Sequence, residues 1–331
     1  MIQFKVGILG AGVISGIIAD TLNELDGFTP YAVAARDKEK ADKFGEEHNV
    51  DVRYGSYDEL INDPEVELVY VGTVHSTHAE LAKKCINAGK PVLVEKPFSY
   101  NAKTAGEVLQ LAKEKNVFCG EAMWLRYLPL TKLINDIVSS GLIGESRTFV
   151  ASLGYDLKDR ERVTSMETAG GALLDVGVYP LTLAFMMFGG APSAVASSFA
   201  RLKTGVDAMS TLQLGFPKGK FATITSSIVS KLDNRGIVYG TAGRLEIDNV
   251  NCPTNLKIFG PTGEQTQEFN IKDKDKNGYE YQFMAARQAI IVGRPETPEN
   301  KYTDIMALYS FTDAIRKTWK LNYPLPGEEQ N

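Results

Sequence analysis

The sequence predicts an α/β protein in which an N-terminal doubly wound parallel sheet is followed by an α+β domain on a large, mostly antiparallel open sheet. Three observations predict it. Short apolar runs alternate with helical stretches over the first part of the chain, strand-like runs then follow one another after about residue 123, and 331 residues suffice for two domains of about 150 each. The expected division is 1–122 and 123–331.

The early strands are predicted at Phe4–Leu9, Tyr31–Ala35, Leu68–Thr73, Val92–Glu95 and Val117–Gly120. Most are nearly continuous apolar runs, as strands covered on both faces require. Helices are expected between them at Val13–Leu25, Lys38–His48, Ala79–Ala88 and Ala102–Lys115, with Asp37 placed to cap the second and Gly89 before Pro91 to end the third. The later strands are predicted at Ser146–Leu153, Ala194–Leu202, Asp207–Phe216, Lys220–Ser227, Asn234–Gly240, Gly243–Asp248 and Asn255–Phe259. Helices at about Leu130–Ser139, Tyr179–Phe188, Tyr281–Val292 and Thr303–Thr318 flank them, and the tail Pro324–Asn331 reads as loose.

Hydrophobic residues make up 44% of the chain and charged residues 23%, which suits a globular protein with large cores. Lys plus Arg is 36 and Asp plus Glu is 41, a net charge of −5, so neither a general nucleic-acid binder nor a basic membrane-surface helix is indicated. Cys85, Cys119 and Cys252 form no paired motif, and with only three histidines no metal site is expected. The N-terminus carries no secretory pattern, and Val178–Phe188 is too short to cross a bilayer; the expected location is cytoplasmic.

Gly10-Ala-Gly12-Val13-Ile14-Ser15 follows the first strand and opens the first helix. Gly10 allows the tight turn, Gly12 lets backbone approach a diphosphate, and the helix start at Val13 and Ile14 supplies N–H donors. Ser15 stands where such turns place a third glycine. This setting points to a dinucleotide. The second strand ends Ala34-Ala35-Arg36-Asp37. A small residue and a guanidinium suit a 2′-phosphate, so NADP(H) is favoured over NAD(H); Asp37 is the alternative, either a helix cap or a ribose ligand.

Glu95-Lys96-Pro97 places a lysine at the carboxyl end of a buried strand, where open α/β sheets bind ligands. A lysine on a partly dry floor can exchange protons near neutrality, and Pro97 restricts its neighbour. In Gly170-Gly171-Ala-Leu-Leu-Asp175-Val-Gly177-Val-Tyr179, a helix would put Asp175 and Tyr179 on one face as i and i+4. A carboxylate and a phenol beside a lysine would form a proton-transfer group.

Together, Gly10-Ala-Gly12, Thr73 with His78, Glu95-Lys96-Pro97 and Gly170-Gly171…Asp175-x-Gly177-x-Tyr179 resemble the glucose–fructose oxidoreductase/inositol dehydrogenase (Gfo/Idh/MocA) family. Tyr70–His78 and Glu121–Pro129 look most like its branch of dimeric dihydrodiol dehydrogenases and NADP-linked xylose dehydrogenases. The resemblance implies a Rossmann domain, a second domain whose open sheet mediates assembly into a homodimer or homotetramer, and hydride transfer between a nicotinamide cofactor and a small molecule: a sugar, polyol or cyclic diol. By resemblance, the catalytic lysine is Lys96 and the carboxylate near substrate is Asp175. Tyr179 stands where many members carry histidine, and whether it or Lys96 delivers the proton stays open. Thr73, His75, His78 and Glu95 map beside the cofactor; Trp124 and Arg126 map to the substrate side. Tyr155 is a further aromatic able to stack on a sugar or pack against a diol. A non-catalytic dinucleotide sensor on the same fold is the alternative.

Overall fold

The computed structural model describes residues 3–271 and 277–328. The run Phe-Lys-Val-Gly-Ile-Leu forms β1 (Phe4–Leu9), buried along almost its whole length. There follow α1 (Val13–Glu24), β2 (Phe28–Ala34), α2 (Lys38–Glu47), β3 (Val52–Tyr54), α3 (Tyr57–Ile61), β4 (Leu68–Val71), α4 (His78–Asn87), β5 (Val92–Glu95), α5 (Ala102–Lys115) and β6 (Cys119–Ala122). The six strands are parallel throughout, in the order β3-β2-β1-β4-β5-β6. The order reverses between β1 and β4, the switch point at which such sheets bind ligands beyond their carboxyl ends. Sequence reading missed β3 and α3. They are three and five residues long, and every residue of β3 is only half-buried, so no apolar run marks it.

The chain continues through α6 (Pro129–Ser140), β7 (Ser146–Gly154), α7 (Glu161–Thr164), a π turn at Leu173–Gly177, α8 (Val178–Phe188), β8 (Ala194–Arg201), β9 (Asp207–Phe216), β10 (Lys220–Ser227), β11 (Gly236–Gly240), β12 (Gly243–Ile247), β13 (Asn255–Phe259), β14 (Gln265–Asn270), α9 (Glu280–Ile291) and α10 (Tyr302–Thr318). The second sheet has eight strands, ordered β14-β13-β12-β11-β7-β10-β9-β8, and among them only β7 and β10 pair in parallel. Side chains alternate across it: Phe149, Leu212, Ile224 and Val238 are buried, whereas Val150, Met209, Phe221 and Tyr239 on the opposite face are exposed. β14 is almost wholly exposed and polar, which is why its sequence carries no strand signal.

Contacts divide the described chain into two units, residues 3–124 with 277–305, and residues 125–271 with 306–328. The expected division at 122 thus meets a more elaborate partition. Phe283, Ala286 and Ala289 of α9 complete the core that holds Phe4, Phe28 and Tyr70. A helical pattern announces that a face is buried, but not what it is buried against. The tail is also not loose as far as Glu328, whose carboxylate takes two hydrogen bonds from the buried Arg316 guanidinium at 2.9 and 3.0 Å. The rest of the predicted loose segment, 329–331, lies outside the described residues. Among the described residues no helix is long and apolar enough to cross a membrane.

Candidate active site

In the first unit the site residues collect on the carboxyl edge of the parallel sheet. Gly10 follows β1 with φ +101°, a left-handed conformation that favours glycine, and a Cβ there would press on Gly72 O and Thr73 Cγ2 at 3.0 and 3.1 Å. Gly12 is the N-cap of α1 with no side-chain cap, and a Cβ on it would meet nothing within 4 Å. Val13 is exposed and Ile14 half-buried, so the first N–H groups of α1 border space that a diphosphate fits. Ser15 is wholly buried, 3.5 Å from Gly72 O, close enough that only a small residue fits.

Burial raises the Tyr57 phenol pKa, and the nearby charge of Arg36 works against that rise. Asp37 is used locally as the cap of α2, accepting from the Glu39 N–H at 3.0 Å. This favours the capping reading of Asp37 over the ribose one.

Beyond β4, the Thr73 and Thr77 hydroxyls lie 2.7 Å apart. His78 is completely buried, with Nδ1 2.8 Å from Pro97 O and Nε2 3.1 Å from Thr73 O. Burial lowers its pKa, and the ring ties the loop after β4 to the loop after β5. His75, also buried, meets the His78 ring edge-on at 5.9 Å.

Lys96 directly follows β5, and the Lys96–Pro97 peptide is cis. Its backbone is framed by buried polar groups. Glu95 accepts from the Tyr70 hydroxyl at 2.7 Å and from the Lys96 N–H at 3.0 Å. Burial pushes the Glu95 carboxyl from an ordinary 4.5 up to about 7, Tyr70 and Lys96 oppose the rise, and the charge of Glu121 adds to it. Glu121 accepts from the Phe98 N–H at 3.2 Å and from Asn300 Nδ2 at 3.2 Å. Sequence reading missed Tyr70 as a partner, Glu121 and Asn300. The last two meet across 179 residues, a separation that leaves no local signal.

Trp124 is buried and stacks face to face on Tyr279, with centroids 4.1 Å apart and planes 11° from parallel. Tyr279 was not singled out from the sequence, because its position follows from the return of the 277–305 segment to the first unit.

In the second unit, Asp175 is 2% exposed and accepts from Arg162 Nη1 at 2.8 Å. Tyr179 is buried in the first turn of α8. The stretch carrying Asp175, Leu173–Gly177, is a π turn that runs directly into α8. The Tyr155 hydroxyl donates to Asn251 Oδ1 at 3.2 Å; burial raises its pKa, and the charge of Asp175 contributes, so the two share one neighbourhood. Arg126 is buried in the same unit. Arg162 and Asn251 were not anticipated, since both lie in segments without regular sequence pattern. Each unit therefore carries its own set: a glycine turn, a helix start, an arginine and a lysine in one; a carboxylate, two phenols and two guanidinium groups in the other.

A family model described as an oxidoreductase family with an NAD-binding Rossmann fold (GFO/IDH/MocA) matches residues 4–123, and one described as the GFO/IDH/MocA C-terminal domain matches 131–246. Trans-1,2-dihydrobenzene-1,2-diol dehydrogenase from Bos taurus is 34% identical over 328 residues, covering 96% of this chain and 97% of that protein. The Mus musculus enzyme of that name is 33% identical with the same coverage. Among solved structures, a 3-ketoreductase from Actinomadura kijaniata in complex with NADP and TDP-benzene aligns with a TM-score of 0.83 at 25% identity, over 95% of this chain and 97% of that one. An aldose-aldose oxidoreductase from Caulobacter crescentus, complexed with glycerol, shares the fold with a TM-score of 0.86 at 24% identity, over 96% and 98%. A dehydrogenase rather than a non-catalytic sensor is what these relationships describe. The chain belongs to the Gfo/Idh/MocA family of NAD(P)-dependent oxidoreductases.

Proposed function

We propose that this dehydrogenase is NADP(H)-linked and acts at a carbinol or carbonyl carbon of a sugar, polyol or cyclic diol. The observation that carries the reading is the placement of Lys96 at the carboxyl end of β5, one strand from β4 and two from the glycine turn after β1, with its backbone held by buried Glu95 and by Pro97, whose carbonyl meets His78. A bound nicotinamide supplies a hydride acceptor or donor. Gly10, Gly12 and the N–H groups of Val13 and Ile14 would hold its diphosphate, Arg36 a 2′-phosphate, and Thr73, His75, His78 and Glu95 would shape the surrounding loops. The 3-ketoreductase solved with NADP supports this cofactor choice.

In oxidation, Lys96 as the free amine, with Tyr179, takes the substrate hydroxyl proton, and the ammonium so formed stabilises the developing alkoxide; in reduction they return the proton. Asp175, held by Arg162, orients a substrate hydroxyl as a fixed acceptor. Trp124, with Tyr279 stacked on it, and Tyr155 offer flat apolar faces to a ring, and Arg126 a hydroxyl or carbonyl donor. The relatives named for a dihydrobenzenediol support a cyclic diol among the substrates. The exposed sheet face bearing Val150, Phe221 and Tyr239 suits a homodimer or homotetramer contact.

The test is a panel of aldoses, inositols, dihydrodiols and ketosugars with both cofactors, followed by nicotinamide absorbance. Turnover that vanishes in Lys96→Met supports the reading. Cofactor binding without turnover on any member of the panel overturns it.

A further inference from the structure

We propose that Asp207 and Tyr323 are positioning residues that set Asp175 and Tyr179 by clamping the turn from which their π turn springs; this rests on the catalytic reading of those two residues given above. The turn is Ala169-Gly170-Gly171, with φ of +55° at Ala169 and +124° at Gly171. It is gripped from two sides. Asp207, wholly buried at the start of β9, accepts from the Leu173 N–H at 2.6 Å, and a Cβ on Gly171 would overlap its other carboxylate oxygen. Tyr323, from the C-terminal tail and also buried, donates its hydroxyl to Gly170 O at 2.6 Å. Next along the chain, the Asp175 N–H donates to Gly171 O at 3.1 Å, so a shift of the glycine pair is passed directly to the carboxylate and through the π turn to Tyr179.

The tail itself is fastened. Arg316 holds both Glu328 oxygens at 2.9 and 3.0 Å and Asp313 at 2.7 Å, and its guanidinium lies 4.7 Å over the Tyr323 ring. The Tyr323 N–H also points at Glu328 at 3.4 Å. A tail that merely capped the core would need neither an arginine buried to 3% exposure nor a phenol aimed at a backbone carbonyl of this turn. The arrangement fixes one rotation of the Gly170–Gly171 peptide, and small misplacements of catalytic groups cost rate steeply.

The experiment compares Tyr323→Phe, Asp207→Ala, Asp207→Asn and the milder Glu328→Gln with Tyr179→Phe in the full chain, measuring kcat, KM for the best panel substrate, and NADP(H) Kd by nicotinamide fluorescence. Tyr323→Phe and Asp207→Ala are expected to lower kcat by about 10- to 100-fold with cofactor Kd unchanged, and Asp207→Asn, which still accepts from Leu173, to recover most of the loss. If Asp207→Ala fails to fold, Tyr323→Phe and Glu328→Gln carry the test, because they remove a hydroxyl and a charge only. A large loss in Tyr179→Phe with kcat within twofold of wild type in Tyr323→Phe overturns the positioning role and leaves the catalytic reading standing. An unchanged kcat in Tyr179→Phe overturns the catalytic reading instead, and with it this one.

Discussion

The Tyr70 hydroxyl donates to a Glu95 carboxyl oxygen at 2.7 Å inside a buried pair, one residue before Lys96. Burial outweighs this bond, so folded Glu95 keeps its proton up to about pH 7, against an ordinary 4.5. The folded state therefore binds more protons between those values than the unfolded chain does. The stability this contributes is complete below about pH 4.5 and is lost as pH rises toward 7, on the order of 3 kcal/mol in all. Glu95→Gln should flatten thermal stability against pH in that window. A residual slope of the same sign is expected from Asp207, which burial also pushes to about 7. An undiminished slope in the Glu95 variant would show the carboxyl to be ionised throughout.

Lys96→Met should lower kcat by at least about a thousandfold, since it removes both a proton-transfer group and the charge that this group develops beside the alkoxide. Fluorescence titration should find the NADP(H) Kd changed only a few-fold. Retention of a tenth of wild-type kcat would assign the chemistry elsewhere.

For Tyr179→Phe, a loss of about 10²- to 10⁴-fold in kcat is expected with KM little changed. Comparing its pH–rate profile with that of wild type identifies which group titrates in turnover. A profile that keeps every inflection would make the phenol a packing group.

Arg36→Ala should weaken NADP(H) much more than NAD(H), because only the former offers a 2′-phosphate to the fork. A charge-assisted contact of about 1.5–3 kcal/mol corresponds to roughly 10- to 150-fold in affinity. Equal losses for the two cofactors, measured by titration, would contradict the assignment. Tyr57, whose phenol lies near the Arg36 charge, should give a weaker change of the same kind when replaced by Phe.

Phe221→Glu places a charge on the exposed sheet face, where Phe221 is 58% exposed in the single chain. Size-exclusion chromatography with light scattering should find the variant monomeric and the wild type dimeric or tetrameric. An assembled variant would direct attention to another surface.

Much of the fold was legible in the primary structure, and the omissions have distinct physical causes. The turn before α1, the position of Lys96 after β5 and the helix start at Tyr179 could be placed from the sequence, because each is set within about ten residues of chain. β3 and β14 were not, since a half-buried triplet and an exposed polar hexapeptide lack the periodicity by which strands are read. The buried polar partners were hidden for another reason. Asp207 serves Leu173, Tyr323 serves Gly170 and Asn300 serves Glu121, and in each case the two residues are brought together only by the tertiary fold. The π turn also escaped, because Asp175 and Tyr179 have the same spacing in either helix type.

The return of α9 to the first unit bears on how the polypeptide is made. Until Phe283 and its neighbours leave the ribosome, the apolar floor formed by Phe4, Phe28 and Tyr70 lacks its lid. The nucleotide-binding half is therefore begun before the second sheet and finished after it, and it must wait, partly uncovered, while that sheet is translated.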